Sequence, residues 1–432
     1  MPPQEHIQPP VQTPKGTRDF YPEDMRIQNH LFDGWRKTCH AFGYEEYEGP
    51  TFEHLELYVG KSGPEIVEQL YHFKDKGDRD LALRPELTPT LARMVNQKGN
   101  SLRLPIKWFS IPRLFRYERA QRGRLREFFQ LNMDIIGCDT IAAEVDLISA
   151  VIEMLKGFGL GSNDFAVRIS SRKLLSEFLD HLGIEAEKKP AVYTALDKRA
   201  KIGEEKFRVL LSEQGINTET ANRLEAFFQC RSIEDIVSRV EGMNDPAGLS
   251  ELKELFALLA QLGHGDFVCI DTSVVRGLAY YTGIVFEVFD KGQNLRAIAG
   301  GGRYDSLLSS LGGLAIPAVG FGMGDVVLAD LLNGKGLLPI KRQGLDYYLA
   351  DVASSEGLPR TELLSLAQRL RVKGRAVSYS LNGGKLKKQL AEANDQGVSR
   401  VLFLGSDRAP AGSYEMKDLT SGEQKMVGEE EL

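Results

Sequence analysis

The stretch RLFRYERAQRGRLREFFQLNMDIIG, residues 113–137, decides how the rest of the chain is read. Six arginines, Arg113, Arg116, Arg119, Arg122, Arg124 and Arg126, stand within fourteen positions, against only Glu118 and Glu127. Such density calls for an anionic partner, because the guanidinium fork grips phosphate or carboxylate oxygens in pairs and stabilises charge growing on a phosphoryl group. A solvated basic loop would have the same composition. Residues 118–126 are too charged for a core, so the strand-like runs on either side, between Pro105 and Gly137, are expected to form a long antiparallel hairpin. In the second run Phe129, Leu131, Met133 and Ile135 alternate with Gln130, Asn132 and Asp134, the period of a strand with one packed and one polar face. A surface strand alternates in the same way. A carboxylate and amide beside an arginine loop point instead to a cleft.

Upstream, Ile27, Leu31, Trp35 and Cys39 fall four apart within residues 22–42 and line one face of a helix, with Glu23 and Asp24 in its first turn. Gly43 ends it, and the run to Pro50 reads as a strand. In ALRPELTPTLAR, Glu86 and Thr88 sit on a turn fixed by Pro85 and Pro89. A carboxylate and a hydroxyl there suit an ammonium group, although Thr88 serves equally well as a plain helix cap. Downstream, residues 170–265 change to repeated helical segments, an insertion, after which strands resume. VVRGLAYYTGIVFEVF places Arg276, Tyr280 and Tyr281 ahead of an alternating run, Thr282 to Phe289; tyrosine pairs of this kind commonly pack a core. A glycine-rich turn, AGGGRYD (299–305), and the segment PAVGFGMGDVVLADLL follow, and neither matches a phosphate-binding fingerprint. Residues 333–343 read as a linker. Residues 344–432 form a small α/β domain, with strands near Tyr347, Val377 and Leu402 and helices from Leu358 and Gly384.

At 432 residues the chain exceeds one hydrophobic core. Its composition, 42% hydrophobic and 26% charged, is that of a folded soluble protein. A net charge of −6 means that any polyanion must be met by local basic patches. One such patch lies in residues 360–408, where ten Lys and Arg face four Asp and Glu, including Lys385, Lys387 and Lys388; this suits RNA phosphates or a solvated helix face. Cys39, Cys138, Cys230 and Cys269 are far apart, which disfavours a zinc site or disulfide framework and suits a reducing cytoplasm. Residues 1–13 are proline-rich and polar, expected to be flexible and not to be a targeting signal. The longest uncharged stretch, Leu311 to Gly324, is broken by Pro317 and five glycines, so no membrane span is expected.

Taken together, PKGTRDFYPEDM, LRPELTPTLAR, FRYERAQRGRLREFFQLNMDIIG, RGLAYYTGIVFE, AGGGRYD and PAVGFGMG resemble, in this order, the signatures of histidyl-tRNA synthetases. The resemblance covers residues 14–332 with the insertion in its expected place, and residues 344–432 resemble the anticodon-binding domain of class II synthetases. It implies an α+β fold: a class II catalytic domain on an antiparallel sheet with a helical insertion, plus a C-terminal α/β anticodon-binding domain. It also implies a homodimer with the first helix-strand unit at the interface, and a reaction through histidyl-adenylate using L-histidine, tRNA(His) and ATP, with Mg2+ accompanying the nucleotide; no side chain is singled out as a metal ligand.

Carried over residue by residue, Arg116 looks like the arginine on the α-phosphate, Arg124 like the loop arginine on the outer phosphates, and Arg276 like the family's additional catalytic arginine, with Glu118 joining them in binding ATP. Glu86 and Thr88 would hold the α-ammonium, Gln130 would position the amino acid, and Asp134 with Tyr280 and Tyr281 would bond the imidazole. Three departures stand out. Asp325, Val326 and Val327 occupy a stretch where many class II synthetases carry an arginine on ATP, Ala279 replaces an aspartate, and Asp134 replaces a glutamate. These are similar to features of the plant-organelle and cyanobacterial-like branch. The competing assignment is a non-catalytic histidine-sensing paralogue resembling the ATP phosphoribosyltransferase regulatory subunit. Against it stand the retained arginines and the terminal domain.

Overall fold

A computed structural model describes residues 12–59, 68–118, 121, 123–274, 280–292, 295–339, 345–353, 359–406, 408–410 and 412–432. The side chains of residues 100, 197, 198, 200 and 201 also fall outside the description. So do Arg276 and Ala279, most of the segment 1–13, residues 340–343 of the linker, and Leu358. Asn333 and Gly334, at the start of that linker, still belong to a helix.

The first helix, α1 (Pro22–Ala41), starts on a proline whose missing N–H costs nothing at that position, with Glu23 and Asp24 in the first turn. It buries Leu31, Trp35 and Cys39, as their spacing requires, and also Gln28 in place of the half-buried Ile27. Gly43 follows at φ 76°, the left-handed geometry in which glycine is unstrained.

The described strands of the first unit form two sheets. Strands β2 (Phe52–His54), β3 (His72–Lys74) and β4 (Asp80–Leu83) make a small antiparallel sheet in the order β2-β4-β3. The large sheet runs β1 (Glu45–Glu46), β5 (Ile106–Ser110), β7 (Glu127–Ile136), β12 (Ala318–Gly324), β11 (Ala299–Arg303), β10 (Ile284–Asp290), β8 (Phe165–Ser171), β9 (Val268–Ile270), with β6 (Arg113–Phe115) paired beside β7. Only the outer pairs, β1 with β5 and β8 with β9, are parallel. The strand from Gly43 to Pro50 is thus just two residues long. The expected single hairpin is a three-strand arrangement: β5 and β6 both pair antiparallel with β7, because Ile111 and Pro112 interrupt the first run.

One expectation is overturned. AGGGRYD is not a turn: Ala299–Arg303 is a fully buried central strand between β10 and β12. Its glycines serve close packing. A Cβ on Gly301 would run into the backbone of Gly320, and one on Gly302 would lie 2.9 Å from the Tyr281 ring.

The larger core lies on one face of the large sheet. There Leu131 and Met133 of β7 pack with Trp35 and Cys39 of α1 and with the apolar helix α3 (Ala142–Gly157), α2 being Thr88–Lys98. The inserted helices α4 (Arg172–His181) to α9 (Ala247–Gln261) extend the same core through Phe178, Phe207, Phe227 and Leu252. On the opposite face a smaller core, with Ile106, Ile136, Val285 and Leu91 of α2, lies beside the polar stretch of Gln130, Asn132 and Asp134.

The second unit, Pro339–Leu432, carries a sheet in the order β14 (Val377–Tyr379), β13 (Tyr347–Asp351), β15 (Arg400–Leu404), β16 (Ser413–Asp418), β17 (Gln424–Gly428). The hairpin β16-β17 went unread in the sequence, since MKDLTSGEQK offers little apolar alternation. Lys385, Lys387 and Lys388 are exposed at the start of the helix Leu386–Asp395.

Candidate active site

On the polar face of β7, Asp134, Asn132 and Gln130 stand opposite Gly320, Gly322 and Gly324 of β12. Both chains have period two, so every polar side chain meets a residue without one. A Cβ on Gly320 would collide with the Asp134 carboxylate, and one on Gly322 with the Gln130 amide. The glycines of PAVGFGMG therefore make the floor of a trench. It opens into a cavity of about 160 Å³, whose walls include Glu86, Thr88, Arg116, Gln130, Asn132, Asp134, Tyr280, Tyr281 and Tyr304. Replacing Gly322 by alanine displaces the flexible end of Gln130 while leaving the backbone alone. Thermal melting should change little, while the affinity for a ligand seated in the trench falls roughly 10- to 100-fold through its misplacement.

Asp134 is 3% exposed. Its Oδ1 accepts from the Tyr304 hydroxyl at 2.6 Å, and its Oδ2 is buried without a partner among the described residues. Burial pushes the carboxyl up to about 7, against the opposing Tyr304 hydrogen bond. Tyr304 and Asn132 were missed as site residues. Asn132, 6% exposed with Oδ1 also unpartnered, was on the polar face by alternation alone; Tyr304 was hidden by the reading of AGGGRYD as a turn. Arg303 anchors the strand end that delivers Tyr304: it bonds both oxygens of the buried Glu144, at 2.6 and 2.7 Å, and the Cys138 carbonyl at 3.0 Å.

Glu86, 5% exposed, lies on the turn into α2, whose cap is Leu87 and whose first residue is Thr88. Thr88 is therefore not the helix cap, and its side chain lines the cavity. The Tyr280 hydroxyl donates to Glu86 Oε2 at 3.0 Å. Its ring lies 5.1 Å from that of Tyr281 and 5.8 Å from that of Tyr304. Tyr280 is thus engaged with the carboxylate on the turn, while Asp134 is held by Tyr304.

At the other end Arg116 donates from Nε to the Pro85 carbonyl at 2.8 Å, and its guanidinium lies 5.3 Å from the Phe128 ring centre. Burial lowers its pKa, and the Glu86 and Glu118 carboxylates oppose this. Glu118, 7% exposed, is ion-paired with Arg124, which is not among the cavity-lining residues. Two of the six arginines are structural. Arg113 pairs with Glu127 at 2.8 Å, and Arg126 donates to the Glu118 carbonyl at 2.9 Å. Arg119 and Arg122 lie outside the described residues.

Asp325, where the sequence lacks an arginine, is 1% exposed. Its carboxylate takes Arg18 at 2.7 Å and the Phe129 N–H at 3.1 Å, tying the segment before α1 to the start of β7. Asp325→Ala leaves both donors unmatched and should cost about 2–3 kcal/mol, read as a lower denaturation midpoint.

The family model described as "Histidyl-tRNA synthetase" matches residues 16–325, and one described as "Anticodon binding domain" matches 353–432. The chloroplastic/mitochondrial histidine–tRNA ligase of Arabidopsis thaliana is 42% identical, covering 96% of this chain and 85% of that protein. The histidine–tRNA ligase of Opitutus terrae is 42% identical, covering 96% of each. Among solved structures, histidyl-tRNA synthetase from Nostoc sp. PCC 7120 superposes with a TM-score of 0.80 at 27% identity, over 98% of this chain and 99% of that one. A Bacillus halodurans protein described as an ATP phosphoribosyltransferase regulatory subunit/histidyl-tRNA synthetase shares the fold, with a TM-score of 0.74 at 24% identity, over 92% of this chain and 99% of that one.

Proposed function

The chain belongs to the histidyl-tRNA synthetase family, and on that footing we propose that it joins histidine to ATP in the trench between β7 and β12. It is a class II aminoacyl-tRNA synthetase that charges tRNA with histidine. The observation that supports this location is the line of Gln130, Asn132 and Asp134 over three glycines, with a half-buried guanidinium, Arg116, at the end away from Asp134.

In the first step a histidine carboxylate oxygen attacks the α-phosphorus of ATP, and the bond to the β-phosphate oxygen breaks, releasing pyrophosphate. In the second a ribose hydroxyl of the tRNA 3′ end attacks the acyl carbon, loses its proton and displaces AMP. Neither step needs a nucleophile from the protein. Arg116 stabilises charge on the α-phosphate, being fixed by Pro85 and Phe128 before the reaction begins. Glu86 and Thr88 receive the α-ammonium, Gln130 orients the amino acid, and Asp134 accepts from the imidazole, with Tyr280 and Tyr281 closing the wall. Arg124, braced by Glu118, meets the outer phosphates, and Arg276 keeps the catalytic role that the resemblance gives it.

Where magnesium accompanies ATP, the buried Glu118 carboxylate is the oxygen donor that would face it, and the ion would neutralise phosphate charge. A homodimer belongs to the same proposal, supported by the exposed Phe52, Phe73 and Val59 around the small sheet. A cytoplasmic location is supported by four free cysteines. No described helix is long and apolar enough to cross a membrane. The histidine-sensing alternative is not favoured: curated ligases match nearly the full chain, and an anticodon-binding model matches residues 353–432.

The test is single-turnover adenylate formation and tRNA(His) charging by the wild type and Arg276→Ala. Adenylate formation should collapse in the variant while histidine binding stays measurable; unchanged turnover would remove Arg276 from the mechanism.

A further inference from the structure

Arg296 lies in the connection between β10 and β11 and is exposed. Its stem reaches the arginine loop: a Cβ on Gly123 would lie 3.7 Å from Arg296 Cδ and 3.4 Å from Val327 Cγ2. Arg296 and Val327, the latter in the stretch without an arginine of its own, thus both border Gly123, the residue preceding Arg124. Among the described residues no hydrogen bond or ion pair holds its guanidinium.

We propose that Arg296 is a third phosphate-binding guanidinium of this active site, reaching the outer phosphates of ATP from the β10-β11 connection. The proposal rests on the reading that ATP lies at the arginine end of the trench. Arg116, Arg124 and Arg296 meet there around one carboxylate, Glu118, which Arg124 already engages. With Glu86 also beside Arg116, three cations stand near two carboxylates, and an incoming oxyanion offsets the excess positive charge. In keeping with this, desolvation and the charge of Arg124 lower the Arg296 pKa, while Glu118 raises it. The chemistry fits a polyphosphate with several oxygens, since two forks on one chain of phosphates can each bind in pairs. The absence of a side chain at Gly123 lets the methylene stem of Arg296 lie beside the arginine loop.

The experiment is pyrophosphate exchange with no tRNA present, measuring KM for ATP, pyrophosphate and histidine separately in Arg296→Ala, Arg296→Lys and Arg124→Ala. Arg296→Ala should raise the KM for ATP and pyrophosphate about tenfold and leave that for histidine unchanged. Lysine should restore part of the loss, because it keeps the charge without the fork. Residue 296 is exposed, so the variants should fold, and a melting curve checks this. If Arg124→Ala weakens ATP and Arg296→Ala does not, the proposal falls and the nucleotide site stands. If neither weakens ATP, both fall. If Arg296→Ala changes only the KM for tRNA in charging, its phosphate partner is the tRNA backbone and the proposal is overturned.

Discussion

Arg116→Ala is expected to lower kcat for histidine-dependent pyrophosphate exchange by about 10²- to 10³-fold while shifting the histidine KM much less. The guanidinium lies in a desolvated cleft, fixed by the Pro85 carbonyl and the Phe128 ring. In that position it meets the extra negative charge of the pentacoordinate α-phosphorus without having to reorganise, so the loss falls on the transition state. Arg116→Lys keeps the charge but loses the fork and the Nε bond to Pro85, and should recover only part of the rate. Steady-state exchange kinetics read both variants, and a kcat within twofold of wild type in Arg116→Ala would remove Arg116 from the phosphate.

Asp134→Asn should weaken histidine binding at least tenfold at pH 8, because an acceptor that is ionised at that pH is replaced by a neutral amide. The pH profile separates this from mere disturbance. The wild-type carboxyl titrates at about 7, so kcat/KM for histidine should fall as the pH drops through 7, where the acid form leaves an imidazolium without a counter-charge. The groups around the carboxyl are Tyr304, which donates to it, and Tyr47 and Tyr44, whose own pKa values its charge raises. Substitution should leave only the titration of free histidine.

Stability should move the other way. The folded pKa lies above the ordinary carboxylate value of about 4, so the folded state favours the acid form. The stability this contributes is complete below about pH 4 and is lost as the pH rises through 7. At pH 8 the unliganded Asp134→Asn protein should therefore melt a few degrees higher than wild type, and at pH 5 the gap should narrow. Equal melting points at both values would show that Asp134 is not a buried charge.

The site was legible wherever a period was legible. Alternation in FFQLNMDII put Gln130 and Asp134 on one face, and four-residue spacing found the buried side of α1. AGGGRYD misled because three glycines look like a turn when their partners are unseen; a central strand tolerates them only because Gly320, Phe321 and Tyr281 press against it. Tyr304 was lost with that reading. Asp325 looked like a missing contact, and only the fold supplies its partner, Arg18, 307 residues away in sequence. The arginine loop is the intermediate case. Composition pointed to an anion site, but it could not separate Arg113 and Arg126, spent on Glu127 and the Glu118 carbonyl, from Arg116 in the cleft.

The most direct test of the trench as the amino-acid site is pyrophosphate exchange by the purified wild-type chain with each of the twenty amino acids in turn, repeated for Asp134→Asn. Exchange should appear with histidine and fall sharply in the variant. Exchange with histidine that is unaltered by loss of the carboxylate would contradict the assignment, as would a folded sample that exchanges with none of the twenty.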